Sequence, residues 1–243
     1  MASQPKQDLP QSTPELDPAT LNPMIEDYLL ANPRILQRVS DALNAELTAE
    51  RKASTAAALA ELRPALYEGE GQVVLGNPDG DITLVELFDY NCGYCRQVLP
   101  DLAALLAEDK GIRLILKEFP ILSQGSVDAA RIAILVAESD VDYWNFHQAL
   151  FTARGQIDKG AAIKAATDLG LSAVALEMSM QAPRISAVLA ESYRIADRLK
   201  ITGTPTFIIG DEIIPGAVPL DTLKAKIANL RACGSTTCPA QPG

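Results

Sequence analysis

The run Phe88-Asp89-Tyr90-Asn91-Cys92-Gly93-Tyr94-Cys95 lies between an apolar stretch over residues 82–88 and a helical pattern that continues to about residue 107. Two cysteines are therefore placed at the opening of a helix that follows a buried-type strand. At a helix N-terminus the unpaired backbone N–H groups and the positive end of the dipole favour a thiolate, which makes Cys92 the candidate nucleophile. Cys95, one turn further in, is expected to be more buried. A spacing of two residues lets the sulfurs close a small disulfide ring, so a mixed disulfide on Cys92 can be resolved by Cys95. The alternatives are an inert structural disulfide or half of a zinc site. Zinc would need a second nearby pair, and the next cysteine is Cys233. The strand, CxxC and helix context favours redox chemistry, with no metal and no cofactor.

Working outward, residues 72–75 read as a strand, Asn77-Pro78-Asp79-Gly80 as a turn, and residues 112–119 as a second apolar strand ended by Pro120. A strand, helix, strand connection of this length favours parallel pairing. Residues 126–200 read as helical, strands return at 206–209 and 212–214, and a last helix spans about 220–231. The result is an α/β layer architecture, a sheet interrupted by a helical block. The second motif is Gly203-Thr204-Pro205-Thr206-Phe207, a proline directly ahead of an apolar strand. Alone it reads as an ordinary strand start. Combined with CxxC it reads as a cis-proline facing the thiols, leaving the Thr204 backbone to pair with an extended substrate segment.

At the N-terminus, residues 1–20 are polar and proline-bearing and are expected to be disordered. Asn22-Pro23 and Asn32-Pro33 each read as a helix start. The second helix could run from 33 to about 62, roughly 45 Å at 1.5 Å per residue, before Pro64 stops it. Its Leu and Val seam is interrupted, so it is either an oligomerisation stalk or a helix lying against its own domain. The expected organisation is a helical extension over 21–67, a redox domain over 68–232 with a helical insertion at about 121–200, and a tail over 233–243.

Composition narrows the function classes. The 243 residues carry a net charge of −10 and 48% hydrophobic content, enough for a core and repulsive on average to nucleic acid and to anionic membrane surfaces. The single histidine, His147, precludes a multi-histidine metal site, and on its aromatic helix it reads as a core-edge residue. No run of about 18 apolar residues is present, so no membrane span is expected. No signal peptide is visible, which fits either a cytosolic protein or one whose signal has been removed. Cys233 and Cys238 are separated by a small flexible spacer and are expected to pair as a staple, with an auxiliary redox pair as the alternative. Two disulfide-capable pairs favour an oxidising compartment.

The run 88–95, Pro100 and the Thr204-Pro205 loop together resemble the thioredoxin-fold disulfide oxidoreductases of the bacterial periplasm. The helical block and the run Tyr143-Trp144-Asn145-Phe146-His147-Gln148-Ala149-Leu150-Phe151 resemble the DsbA branch, over about residues 72–231. The phrase Ile25-Glu26-Asp27-Tyr28-Leu29-Leu30-Ala31-Asn32-Pro33 is similar to suppressor-of-copper-sensitivity ScsC proteins. The resemblance implies a thioredoxin-like fold with a DsbA-type insertion, protein substrates that are misfolded or carry disulfides, a membrane thiol reductase as electron donor, and a periplasmic location. It also implies that Glu86 matches a buried acid beneath the active site, with Lys117 as a possible partner; the bland alternative puts both at strand ends in water. One departure from the oxidant pattern stands out. Gly93-Tyr94 replaces Pro-His, and with Thr204 before the proline it looks like the isomerase DsbC. A less stabilised thiolate means a less oxidising disulfide. The favoured activity is isomerase or reductase, the runner-up is a DsbA-type oxidase, and a copper-binding or chaperone role is the rival class. A homo-oligomer through residues 21–66 would set several CxxC sites around one substrate.

Overall fold

Continuously apolar strands need cover on both faces, and the computed structural model, which describes residues 17–239, supplies it. The sheet contains β1 (Val73–Gly76), β2 (Ile82–Phe88), β3 (Ile112–Glu118), β4 (Thr206–Ile209) and β5 (Glu212–Pro215), in the order β1-β3-β2-β4-β5. β2 and β3 are parallel, joined across α4 (Gly93–Glu108), and the other three pairings are antiparallel. On one face Leu84, Phe88, Leu114, Leu116 and Phe207 join the large core with α4 and most of the insertion. On the other, Val85, Leu87, Ile115 and Ile208 pack with Leu59, Leu62, Leu66, Ile195 and Leu199.

The insertion comprises α5 (Gln124–Ala137), α6 (Tyr143–Thr152), α7 (Lys159–Asp168), α8 (Ala173–Ser179) and α9 (Pro183–Arg198). Its breaks are set by capping side chains: Ser123, Asp142, Asp158 and Ser172 each accept a backbone N–H three residues on, and Pro183 opens α9 where its missing N–H costs nothing. The last helix, α10 (Leu220–Cys233), ends at Gly234, whose φ of 76° is the left-handed conformation that glycine supplies freely.

The N-terminal region departs from expectation at several points. The segment expected to be disordered over 1–20 lies outside the described residues up to 16, and α1 (Pro18–Ala31) already occupies 18–20. Asp17, not Asn22, starts α1, because its carboxylate accepts the Ala19 N–H while Pro18 fills the first turn; Pro23 lies inside the helix. Asn32 ends α1 by donating from its side chain to the Tyr28 carbonyl, so it does not cap α2 (Arg34–Glu61). Pro64 sits in the first turn of a new short helix, α3 (Arg63–Tyr67).

The chain divides into two compact units between Ala53 and Ser54. The extension expected over 21–67 is thus shorter, since Leu59, Leu62 and Leu66 belong to the core beneath the sheet. In the first unit α1 buries no residue, and Met24, Tyr28, Leu36, Val39, Leu43 and Leu47 are exposed. Replacing Leu66, fully buried, with alanine is expected to cost about 2–5 kcal/mol in chemical denaturation, whereas Val174→Ala at an exposed site changes stability by about 0.5 kcal/mol or less.

Candidate active site

Cys92 is the N-cap of α4, with extended backbone, and its Sγ accepts the Cys95 N–H at 3.3 Å. The sequence folds this way because Asp89 pins the approach. Its carboxylate accepts the N–H groups of Asn91, Ile121 and Leu122, tying the end of β2 to the segment after β3. Asn91 clamps the loop again by exchanging hydrogen bonds with both backbone groups of Ile157 and donating to Ser126. The Cys92 thiol donates to the Thr204 carbonyl at 3.1 Å, and the Thr204–Pro205 peptide is cis. Cys92, Cys95, Thr204 and Pro205 are therefore brought together, although 112 residues separate Cys92 from Thr204.

Both cysteines are free thiols; Cys92 is 6% exposed and Cys95 1%. The thiolate of Cys92 is held down to about 6, chiefly by the Cys95 thiol, then by Thr204 and the backbone N–H groups of the helix start. The Thr204 hydroxyl is buried with no hydrogen-bond partner in the protein, and it contributes to lowering the Cys92 thiol. Cys95 is pushed far up, first by burial, then by the bond to Cys92 and the charge of Glu86. The pair is therefore polarised into a nucleophile and a proton-holding thiol. Gly93 has open space around it, and Tyr94 is 63% exposed beside the thiols. A cavity of about 600 Å³ adjoins them, lined by Tyr94, Ile201, Thr204, Ile213, Pro215 and Thr55 of α2.

Glu86 is buried under the site, and burial followed by the Cys92 charge pushes its carboxyl up to about 8. Lys117 is buried too, but it is not the partner of Glu86. Glu86 is paired with Leu116 in the ladder, so Lys117, one residue on, points to the opposite face, where it donates to the Ala65 carbonyl and the Gln72 side chain. Burial lowers it to about 8, and it fastens α3 to the sheet.

His147 lies inside the core, not at its edge, and burial lowers it to about 3. It shares a hydrogen bond with the Tyr90 hydroxyl, which bonds that of Tyr143, which donates to buried Glu118. This buried polar chain, together with the Asp89 and Asn91 clamps, was not read from the sequence. The Asp-Tyr-Asn run ahead of Cys92 is the signal that could have located the clamps. Cys233 and Cys238 are joined as a disulfide.

The sign of the pH dependence follows from the Cys92 shift. A thiol lowered from an ordinary 9 to about 6 adds stability that is complete above 9 and is lost as pH falls through 6. Reduced protein is expected to gain stability over its Cys92→Ser variant between about pH 6 and 9 in denaturant titrations. Thiolate absorbance near 240 nm should show one transition near pH 6 that the same variant lacks.

Residues 83–228 match the model of the DSBA-like thioredoxin domain. A thioredoxin-like oxidoreductase from Silicibacter pomeroyi superposes with a TM-score of 0.67 at 37% identity, covering 70% of this chain and 98% of that one. A linker-deletion mutant of Proteus mirabilis ScsC superposes with a TM-score of 0.68 at 25% identity over 91% of this chain and 99% of its own. Disulfide bond formation protein D of Bacillus subtilis is 25% identical over 171 residues, 65% of this chain and 76% of that protein. The chain spans about a quarter of the length of the sodium/proton antiporters that it also matches. The matched segment takes in the CxxC, the insertion and the Thr204-Pro205 loop, and the chain belongs to the DSBA-like thioredoxin domain family.

Proposed function

We propose that this chain is a thiol-disulfide oxidoreductase acting on protein substrates, working as a disulfide isomerase or reductase. The observation that carries the reading is the Cys92 sulfur, held between the start of α4 and the Thr204-Pro205 loop with no histidine or other cation in the CxxC. Hydrogen bonds alone stabilise the thiolate, to about 6. The dithiol form is then favoured less than in a strong oxidant, the disulfide is less oxidising, and the site is suited to attack on wrong disulfides. Cys92 attacks a substrate disulfide, forming a mixed disulfide and releasing one substrate thiolate. The substrate strand lies along the Thr204-Pro205 edge, with Gly93 and Tyr94 forming the rim. Release follows by a substrate thiol, which completes isomerisation, or by Cys95, which completes reduction and leaves a Cys92–Cys95 disulfide. Glu86 accepts the Cys95 proton in that second route. A membrane thiol reductase in the periplasm restores the dithiol.

The exposed apolar side chains of the first unit support a homo-oligomer. Leu36, Val39, Leu43 and Leu47 recur at three- and four-residue spacing along α2, a stripe of the kind that a partner helix covers. Light scattering is expected to give an oligomer for the full chain and a monomer after deletion of residues 1–53; a monomeric full chain would overturn this. The deletion stops at 53 so that Leu59, Leu62 and Leu66 stay in the core.

Refolding of scrambled and of reduced ribonuclease separates the activities. High yield from scrambled enzyme with little from reduced enzyme is the expected result, and both fall at least 100-fold in Cys92→Ser; the reverse preference would make the chain an oxidase. For Glu86, the rate at which Cys95 resolves a mixed disulfide should rise with pH through about 8 and lose that rise in Glu86→Gln.

A further inference from the structure

The second cysteine pair lies where a staple adds little. Cys233 and Cys238 are five residues apart, and closing so short a loop removes far less chain freedom than closing a long one. The tail is already held without the sulfurs. Asp211, in the turn between β4 and β5, accepts hydrogen bonds from the Ser235 hydroxyl and from the Thr236 N–H and hydroxyl, while Asn229 donates to the Thr236 carbonyl. Cys233, one end of the bond, is an exposed residue at the end of α10.

The two pairs occupy opposite ends of the same fold. Thr204, against Cys92, precedes β4, whereas Asp211, against the tail, follows it. The four residues of β4, Thr206–Ile209, alone span about 13 Å, so Asp211 holds the tail at the end of the strand away from Cys92. Their electrostatic settings are also opposite. Cys92 stands at a helix N-terminus, which favours a thiolate, and Cys233 is the last residue of a helix, at the negative end of the dipole. Arg231, the basic residue of that last turn, is occupied by Asp81 and Asp109. The Cys238 sulfur faces the Asn229 carbonyl, and the Asp211 carboxylate holds the same loop. A couple whose reduced form is stabilised is the stronger oxidant, so electrons run from the tail dithiol to the Cys92–Cys95 disulfide. The structure holds the tail pair closed and Cys92 and Cys95 as free thiols.

We propose that Cys233 and Cys238 form a second redox centre, a dithiol donor that reduces the Cys92–Cys95 disulfide of another copy of this chain. The inference rests on the thiol-disulfide reading of Cys92 and Cys95. The Cys233 thiolate attacks the Cys92 sulfur of the second copy; the Cys92–Cys95 bond breaks, and Cys95 leaves and takes up a proton. Cys238, having lost its proton, then attacks Cys233 and expels Cys92 as its stabilised thiolate. Two electrons pass from the tail of one chain to the active pair of the other, one disulfide is exchanged for another, and the tail disulfide is returned to the dithiol by the membrane thiol reductase of the proposed function.

Two full-length double variants test this. Cys92→Ser/Cys95→Ser carries only the tail pair and is reduced and freed of reductant. Cys233→Ser/Cys238→Ser carries only the active pair and is oxidised. They are mixed without oxygen, quenched with acid, and read by differential alkylation and mass spectrometry. The expected result is loss of tail thiols matched by gain of Cys92 and Cys95 thiols, at least 10-fold faster than with oxidised glutathione at equal concentration. A tail oxidised no faster than by glutathione overturns the inference, provided the same oxidised variant oxidises dithiothreitol. If it fails with dithiothreitol as well, the reading of Cys92 and Cys95 fails, and this inference falls with it.

Discussion

The rest of the molecule depends on the pairing of β2 with β4, and the site depends on it through one contact, that of the Cys92 sulfur with the Thr204 carbonyl, 3.1 Å apart. It is made across the junction of β2 with α4 on one side and the start of β4 on the other, so it exists only when β2 and β4 are paired in register. That register, Leu87 opposite Thr206, is set by the two-sided burial of both strands. A slip of one residue would carry Val85 and Leu87 into the cluster around Phe88 and expose Glu86 to the wrong face. The hydrophobic cores thus fix the geometry of the thiols.

Around that contact the charges are arranged by depth. Cys92 is placed where backbone N–H groups and a neighbouring thiol favour its ionised form, while Cys95 and Glu86, one layer deeper, are pushed by burial toward their neutral forms. The same helix start therefore pushes two identical side chains in opposite directions, Cys92 downward by hydrogen bonds and Cys95 upward by burial. Further in, the His147, Tyr90, Tyr143 and Glu118 chain satisfies polar groups that the aromatic packing of α6 would otherwise strand. Lys117 does comparable work on the other face by fastening α3.

The position of the unit boundary matters for the same reason. Leu59, Leu62 and Leu66 join Ile195 and Leu199 in covering the second face of the sheet, so the last two turns of α2, from Ser54, belong to the same unit as the sheet. The residues that remain outside it carry exposed apolar side chains and no buried ones in α1. The oligomer proposed above is a way of covering them.

The sequence by itself determined the strand, CxxC and helix order, the sheet interrupted by helices, and the place of Cys92 at a helix start, because each of these is local. Apolar runs, turn residues and a helix start are written within a few residues of one another. It also carried Thr204 and Pro205, through a motif whose meaning depends on the first. What it did not carry is whatever depends on which face of a strand meets what. Glu86 and Lys117 are neighbours in the sheet and yet face opposite cores, a consequence of a period of two that only the paired register reveals. The helix α1 starts at Asp17, a capping residue ahead of the equally suited Asn22, which lies inside it. The end of the extension, the burial of His147 and the distance between the two cysteine pairs were decided by tertiary packing alone, because they rest on contacts between segments tens of residues apart.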